Sequence, residues 1–76
     1  MLNFKLNDVV ALTKDLPEHN LLKGQVGTIV EIHKKYFFEV EFSDDFGKTY
    51  ALLALKGTQL IPLHFSPNKR KSIYVQ

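Results

Sequence analysis

No window of eleven or more residues in this chain repeats apolar side chains at helical spacing without a glycine or proline interrupting it. A chain that cannot build an amphipathic helix must bury its apolar groups on short β-strands joined by turns. Five strands are predicted. "DVVALT" (Asp8 to Thr13) places Val10 and Leu12 on one face and Val9 and Ala11 on the other, and "KDLPEHNLLKG" then reads as a long loop broken by Pro17 and Asn20. "QVGTIVEIH" (Gln25 to His33) is rich in β-branched residues. "FFEVEF" (Phe37 to Phe42) alternates with period two, Phe38, Val40 and Phe42 inward and Glu39 and Glu41 outward. "SDDFGK" is a hairpin turn leading to "TYALLAL" (Thr49 to Leu55), and "QLIPL" (Gln59 to Leu63) follows a short turn at Lys56 and Gly57. Pro62 marks this last run as an edge or terminal strand, since it has no N–H to give to a ladder.

Five short strands with three tight connections and one long loop after the first strand describe an all-β fold, a small five-stranded antiparallel SH3-like barrel over residues 1–65. A sheet this short curls only where a strand can bend sharply. Gly24 and Gly27 lack a Cβ, so the backbone there can take positive φ or pass close to a neighbouring strand. They do not cradle phosphate, because Gly27 leads into Thr28, Ile29 and Val30 and not into a helix N-terminus. Gly47 is the corresponding structural glycine of the hairpin turn. The core is expected to unite Val10, Leu12, Val26, Ile29, Val40, Phe42, Leu52 and Leu60.

At 76 residues this is one domain with a single core, and no staple supports it, because cysteine is absent. The core must therefore be apolar, and 45% hydrophobic residues with nine aromatics suffice for a compact globule. Lack of cysteine fits a reducing compartment. The opening "MLNFKLNDVV" has no secretory pattern, no run approaches transmembrane length, and a cytoplasmic location is expected. The net charge of +2 is unevenly spread. Residues 1–63 hold seven Lys against eight Asp and Glu, a net −1, whereas residues 64–76 hold Lys69, Arg70 and Lys71 and no acid, a net +3. Residues 66–76, "SPNKRKSIYVQ", are thus a basic tail, expected to be flexible and dispensable for folding.

Catalysis is not expected. His19, His33 and His64 show no metal-ligand spacing, so neither a metal nor a cofactor is anticipated. Asp44 and Asp45 at a hairpin apex shape the turn, and Ser43, Ser66 and Ser72 lack a nucleophile-elbow context. Aromatic side chains on loop ends bind peptides or bases in folds of this type, which makes Tyr36, Phe37 and Phe46, with the outward Glu39 and Glu41, the candidate binding surface. The competing and favoured reading has these aromatics sealing the barrel ends.

Two resemblances follow from these residues. "KGQVGTIVEI" resembles the core of the KOW motif, whose SH3-like barrel often touches RNA or protein. Over a longer stretch, "DVVALTKDLPEHNLLKGQVGTIVEI", "FEVEFSDDFGKTYALLAL" and "QLIPLHF" resemble, in order and spacing, successive blocks of the short bacterial proteins called domain of unknown function 4926. That resemblance implies a small bacterial, notably cyanobacterial, stand-alone barrel with no established catalytic or binding residues, and it ends at Phe65. A non-catalytic protein-interaction or partner-subunit domain is the first expectation, because the barrel is nearly neutral and leaves edge strands that a partner can extend. The alternative is a KOW-like RNA-binding domain, its weak nucleic-acid affinity carried by Lys69, Arg70 and Lys71. No membrane contact is expected.

Overall fold

A computed structural model describes residues 4–34 and 36–63 of the chain. The strands are β1 (Val9–Leu12), β2 (Val26–Ile32), β3 (Phe37–Ser43), β4 (Thr49–Lys56) and β5 (Leu60–Pro62), with 3-10 turns at Pro17–His19 and Gly57–Gln59. They form one antiparallel sheet in the order β4-β3-β2-β1-β5, so the fold is all-β as expected. β1 sits between β2 and β5, and β4 and β5 are the two edges of the sheet. Pro62 lies on β5, an edge strand, where its missing N–H costs no central ladder bond. No helix is long and apolar enough to cross a membrane among the described residues. The tail expected over residues 66–76, its start after residue 65, and Lys69, Arg70 and Lys71 lie outside the described residues.

The inward face follows the alternation of each strand. Val10 and Leu12 of β1, Ile29 of β2, Phe38, Val40 and Phe42 of β3, Leu55 of β4 and Leu60 of β5 are buried in one cluster. Phe4 packs edge-on against Phe38, ring centroids 5.0 Å apart, and closes one end of it. The loop after β1 contributes two further core residues, Leu16 and Leu21. Their backbones clip the loop together, the Leu16 N–H donating to the Leu21 carbonyl at 2.8 Å and the Leu21 N–H to that of Leu16 at 3.2 Å. An Asp15 carboxylate oxygen accepts from the Lys23 N–H at 2.8 Å, which holds the returning limb. The stretch read as a plain loop is therefore a hydrophobic plug packed against the core of the sheet.

Two expected core residues are exposed instead. Val26 is 47% exposed and Leu52 55%. Ser43 pairs with Thr49, and an unbroken ladder from there would set Leu52 opposite Val40 and point it inward. A β-bulge intervenes, so that Phe42 pairs with Ala51 and Tyr50 is the extra residue. The one-residue shift turns Ala51, Leu53 and Leu55 toward the core and Leu52 outward, opposite Glu41. In β2 the register shifts only after Ile29, near Val30, so Val26 and Ile29, three residues apart, remain on opposite faces. This register makes a prediction. Leu52→Ser should change folding free energy by no more than about 0.5 kcal/mol, and a large fall in the urea midpoint would contradict the bulged pairing.

The structural glycines act by two different means. Gly24 has φ +90 and Gly47 φ +81, backbone that L side chains rarely adopt. Gly47 closes the β3–β4 hairpin, its N–H donating to the Asp44 carbonyl at 3.0 Å. One Asp44 carboxylate oxygen accepts from the Phe46 and Lys48 N–H groups at 2.9 Å each, which is the turn-shaping role expected at this apex. Gly27 is buried in β2 with no such φ, and there the crossing of β3 leaves no room for a side chain.

Candidate interaction surface

The outer face of the sheet is set by what the core does not take. Ladder partners share a face, so cross-strand rows can be read directly from the register. One row runs Ile61, Ala11, Val26 across β5, β1 and β2. A second is begun by Leu63, whose N–H donates to the Val9 carbonyl at 2.9 Å, and continues through Val9, Thr28, Glu41 and Leu52. The third is Glu31, Glu39, Ala54. Phe37 and Lys56 pair beyond it. Ala11 is buried although it faces outward, because the larger Ile61 and Val26 flank it.

This face has two chemically distinct halves. Over β5, β1 and β2 it is apolar, with Ile61, Leu63, Val9 and Val26 each between 41% and 49% exposed. Over β2 and β3 it is acidic, with Glu31 directly opposite Glu39 and Glu41 one row away. Like charges paired across strands repel, and a nearby cation relieves them. Two of these carboxylates also have polar partners within the sheet. His33 Nε2 lies 2.9 Å from Glu39 Oε1, and the Thr49 hydroxyl donates to Glu41 Oε2. Glu31 is exposed.

The five residues proposed from sequence as a binding surface do not form one patch. Glu39 and Glu41 stand together on the outer face of β3, and Phe37 shares that face at the strand's beginning. Tyr36 occupies the turn before β3 with φ 65 and is exposed. Phe46, 95% exposed, is at the hairpin apex beyond the opposite end of β3. Seven residues of strand, roughly 20 Å, separate the two aromatic sites. The reading in which these aromatics seal the barrel ends fails for Phe46 and Tyr36, whose rings face solvent; Phe4 and the Leu16–Leu21 plug close the core instead. Sequence reasoning missed the apolar half of the face, Val9, Val26, Ile61 and Leu63. The signal was present in part, because Val9 and Ala11 form the second apolar face of β1 in the alternation itself.

No group of three or more His, Asp or Glu side chains is placed to hold a metal ion among the described residues. A family model described as "Domain of unknown function (DUF4926)" matches residues 6–62, which takes in all five strands. No curated protein and no solved structure matches the chain.

Proposed function

The chain belongs to the DUF4926 family, and on that footing we propose that it is a small, non-catalytic protein-interaction or partner-subunit domain of the cytoplasm, which docks through the outer face of its sheet. The observation that carries this reading is the exposed apolar patch of Val9, Val26, Ile61 and Leu63 beside the acidic group of Glu31, Glu39 and Glu41. Contiguous apolar surface bordered by charge is the composition of protein interfaces, and it is costly to leave in water without such a use. An acidic group in the same face works against phosphate tracking, which needs Lys and Arg gathered on one side of the fold.

Affinity purification from a lysate of the source organism, with and without nuclease, tests the proposal. The wild-type chain should retain a defined protein in both lysates, and Val26→Arg with Ile61→Arg should release it while the circular dichroism spectrum stays unchanged. Capture that disappears on nuclease treatment, or that survives the double substitution, would move the function to nucleic acid or to another surface.

A further inference from the structure

The two edges of the sheet are not protected alike. β5 is three residues long and carries Pro62, two features that keep an edge from pairing with another chain. β4 runs for eight residues, Thr49–Lys56, with no proline and no charge before Lys56. Which of its backbone groups face outward follows from the ladder, because successive residues of an antiparallel strand alternate in the direction of their hydrogen bonds. The Gly57 N–H donates to the Tyr36 carbonyl at 2.8 Å, so, counting back by two, Leu55, Leu53 and Ala51 are the residues bonded to β3. The His33 N–H donating to the Phe37 carbonyl at 2.9 Å confirms the alternation on the other side of β3. Leu52, Ala54 and Lys56 therefore turn their N–H and C=O groups away from the sheet. Gln59 Oε1 accepts from the Lys56 N–H at 2.9 Å, whereas the outward groups of Leu52 and Ala54 have no partner among the described residues. We propose that β4 pairs antiparallel with β4 of a second copy about a two-fold axis at Leu53, joining the two sheets into one.

The outward groups select this register. An axis at Leu53 sets Leu52 against Ala54 of the second copy and Ala54 against its Leu52, so that every one of these N–H and C=O groups is bonded. An axis at Leu52 would call on Tyr50, the extra residue of the bulge, and one at Ala54 would call on the Lys56 N–H that Gln59 already holds. Side chains agree with the same choice. Paired residues share a face, so the large, exposed Leu52 meets the small Ala54 outside, and the half-buried Leu53 meets its own copy inside, at a non-hydrogen-bonded position where side chains come closest. The only charge of the strand does not oppose itself, since the two Lys56 residues are six positions apart across the pair, roughly 20 Å. One strand pair covers less than the ~1,200 Å² of a standard interface. The dimer is accordingly reversible, formed at millimolar protein and dissociated at the micromolar concentrations of an unfolding titration. Its two outer faces lie on the same side, which presents both Val9, Val26, Ile61 and Leu63 patches together. The pairing does not use that patch and holds whether or not the patch binds a protein.

Absence of cysteine allows single thiols to be introduced. Leu52→Cys and Ala54→Cys chains, mixed at millimolar concentration and oxidised, should give the mixed disulfide, because hydrogen-bonded partners have Cα atoms about 5.5 Å apart. Either variant alone should cross-link far less, since like residues stand about 8 Å apart, beyond the ~7 Å that a disulfide spans. In sedimentation equilibrium the unmodified chain should pass from monomer to dimer as its concentration rises. Ala54→Pro removes an N–H that β3 does not use and should abolish the dimer with the far-ultraviolet circular dichroism unchanged; Leu52→Lys, at an exposed edge position, should do the same if the proline variant fails to fold. Amides of Leu52 and Ala54 should exchange with deuterium more slowly as concentration rises. A monomer at every concentration, or equal cross-linking of like and unlike thiols, would overturn the proposal. A dimer that survives Ala54→Pro but is lost in Val26→Arg with Ile61→Arg would overturn it in favour of the outer face. Slow exchange of the two amides at every concentration would overturn it in favour of another segment of the same chain on this edge.

Discussion

Gly27→Val is expected to destabilise the domain by about 3 kcal/mol or more, at the upper end of the overpacking range, read as a lower urea midpoint and a lower Tm. A Cβ at this position would stand 2.7 Å from Val40 Cγ1, 2.9 Å from the Glu41 carbonyl oxygen and 2.9 Å from Phe42 Cδ1. Side chains can rotate away, but the Glu41 carbonyl belongs to the β2–β3 ladder and cannot move without opening it. Shortening Phe42 should therefore fail to rescue the variant. Against a total of about 4 to 11 kcal/mol, at ~0.05–0.15 kcal/mol per residue, the loss is large enough to leave a substantial unfolded fraction. Gly24→Ala supplies the contrast. Nothing lies within 4 Å of its Cβ position, and only the φ of +90 resists the substitution, so its cost should be about 1 kcal/mol. Equal effects at the two glycines would mean that close strand approach is not what Gly27 serves.

The second large effect is expected at Phe42, which is wholly buried and among the largest of the fully buried side chains. Phe42→Ala removes the ring from the centre of the cluster and should cost about 3–5 kcal/mol, the lost transfer energy plus a cavity that a five-stranded sheet can only partly collapse. Tyr50, whose ring centroid is 6.4 Å from that of Phe42, sits at the bulge and loses its neighbour. Near-ultraviolet circular dichroism should fall together with the thermal midpoint. Retention of the wild-type midpoint would mean that the inward register of β3 is wrong.

These expectations bear on how much could be read before the fold was known. Strand positions were legible to within about two residues, because Pro17, Asn20, Gly24, Gly47 and Gly57 punctuate the chain and the β-branched runs lie between them. The inward face of β3 was equally clear, since Glu39 and Glu41 leave one choice. β4 was different. "TYALLAL" is apolar on both parities, so its own residues could not say whether Leu52 or Leu53 faces the core. Nor did "KDLPEHNLLKG" announce a plug, because Leu16 and Leu21 acquire a shared environment only when the loop doubles back.

Alone, then, the amino-acid sequence determined what depends on neighbours along the chain: five strands, their turns, the glycines that those turns and crossings need, and membership of a recognisable family. The tertiary structure decided what depends on pairing between strands distant in sequence. The Tyr50 bulge moved β4 by one residue and exchanged its faces, the unbroken β2 register up to Ile29 kept Val26 on the opposite face, and the pairing of β1 with both β2 and β5 assembled Val9, Val26, Ile61 and Leu63 into one exposed patch. Side chains alternate with a period of two, so a single-residue shift reverses every side chain beyond it. A shift of that kind is set by hydrogen bonds between strands, and no local propensity encodes it.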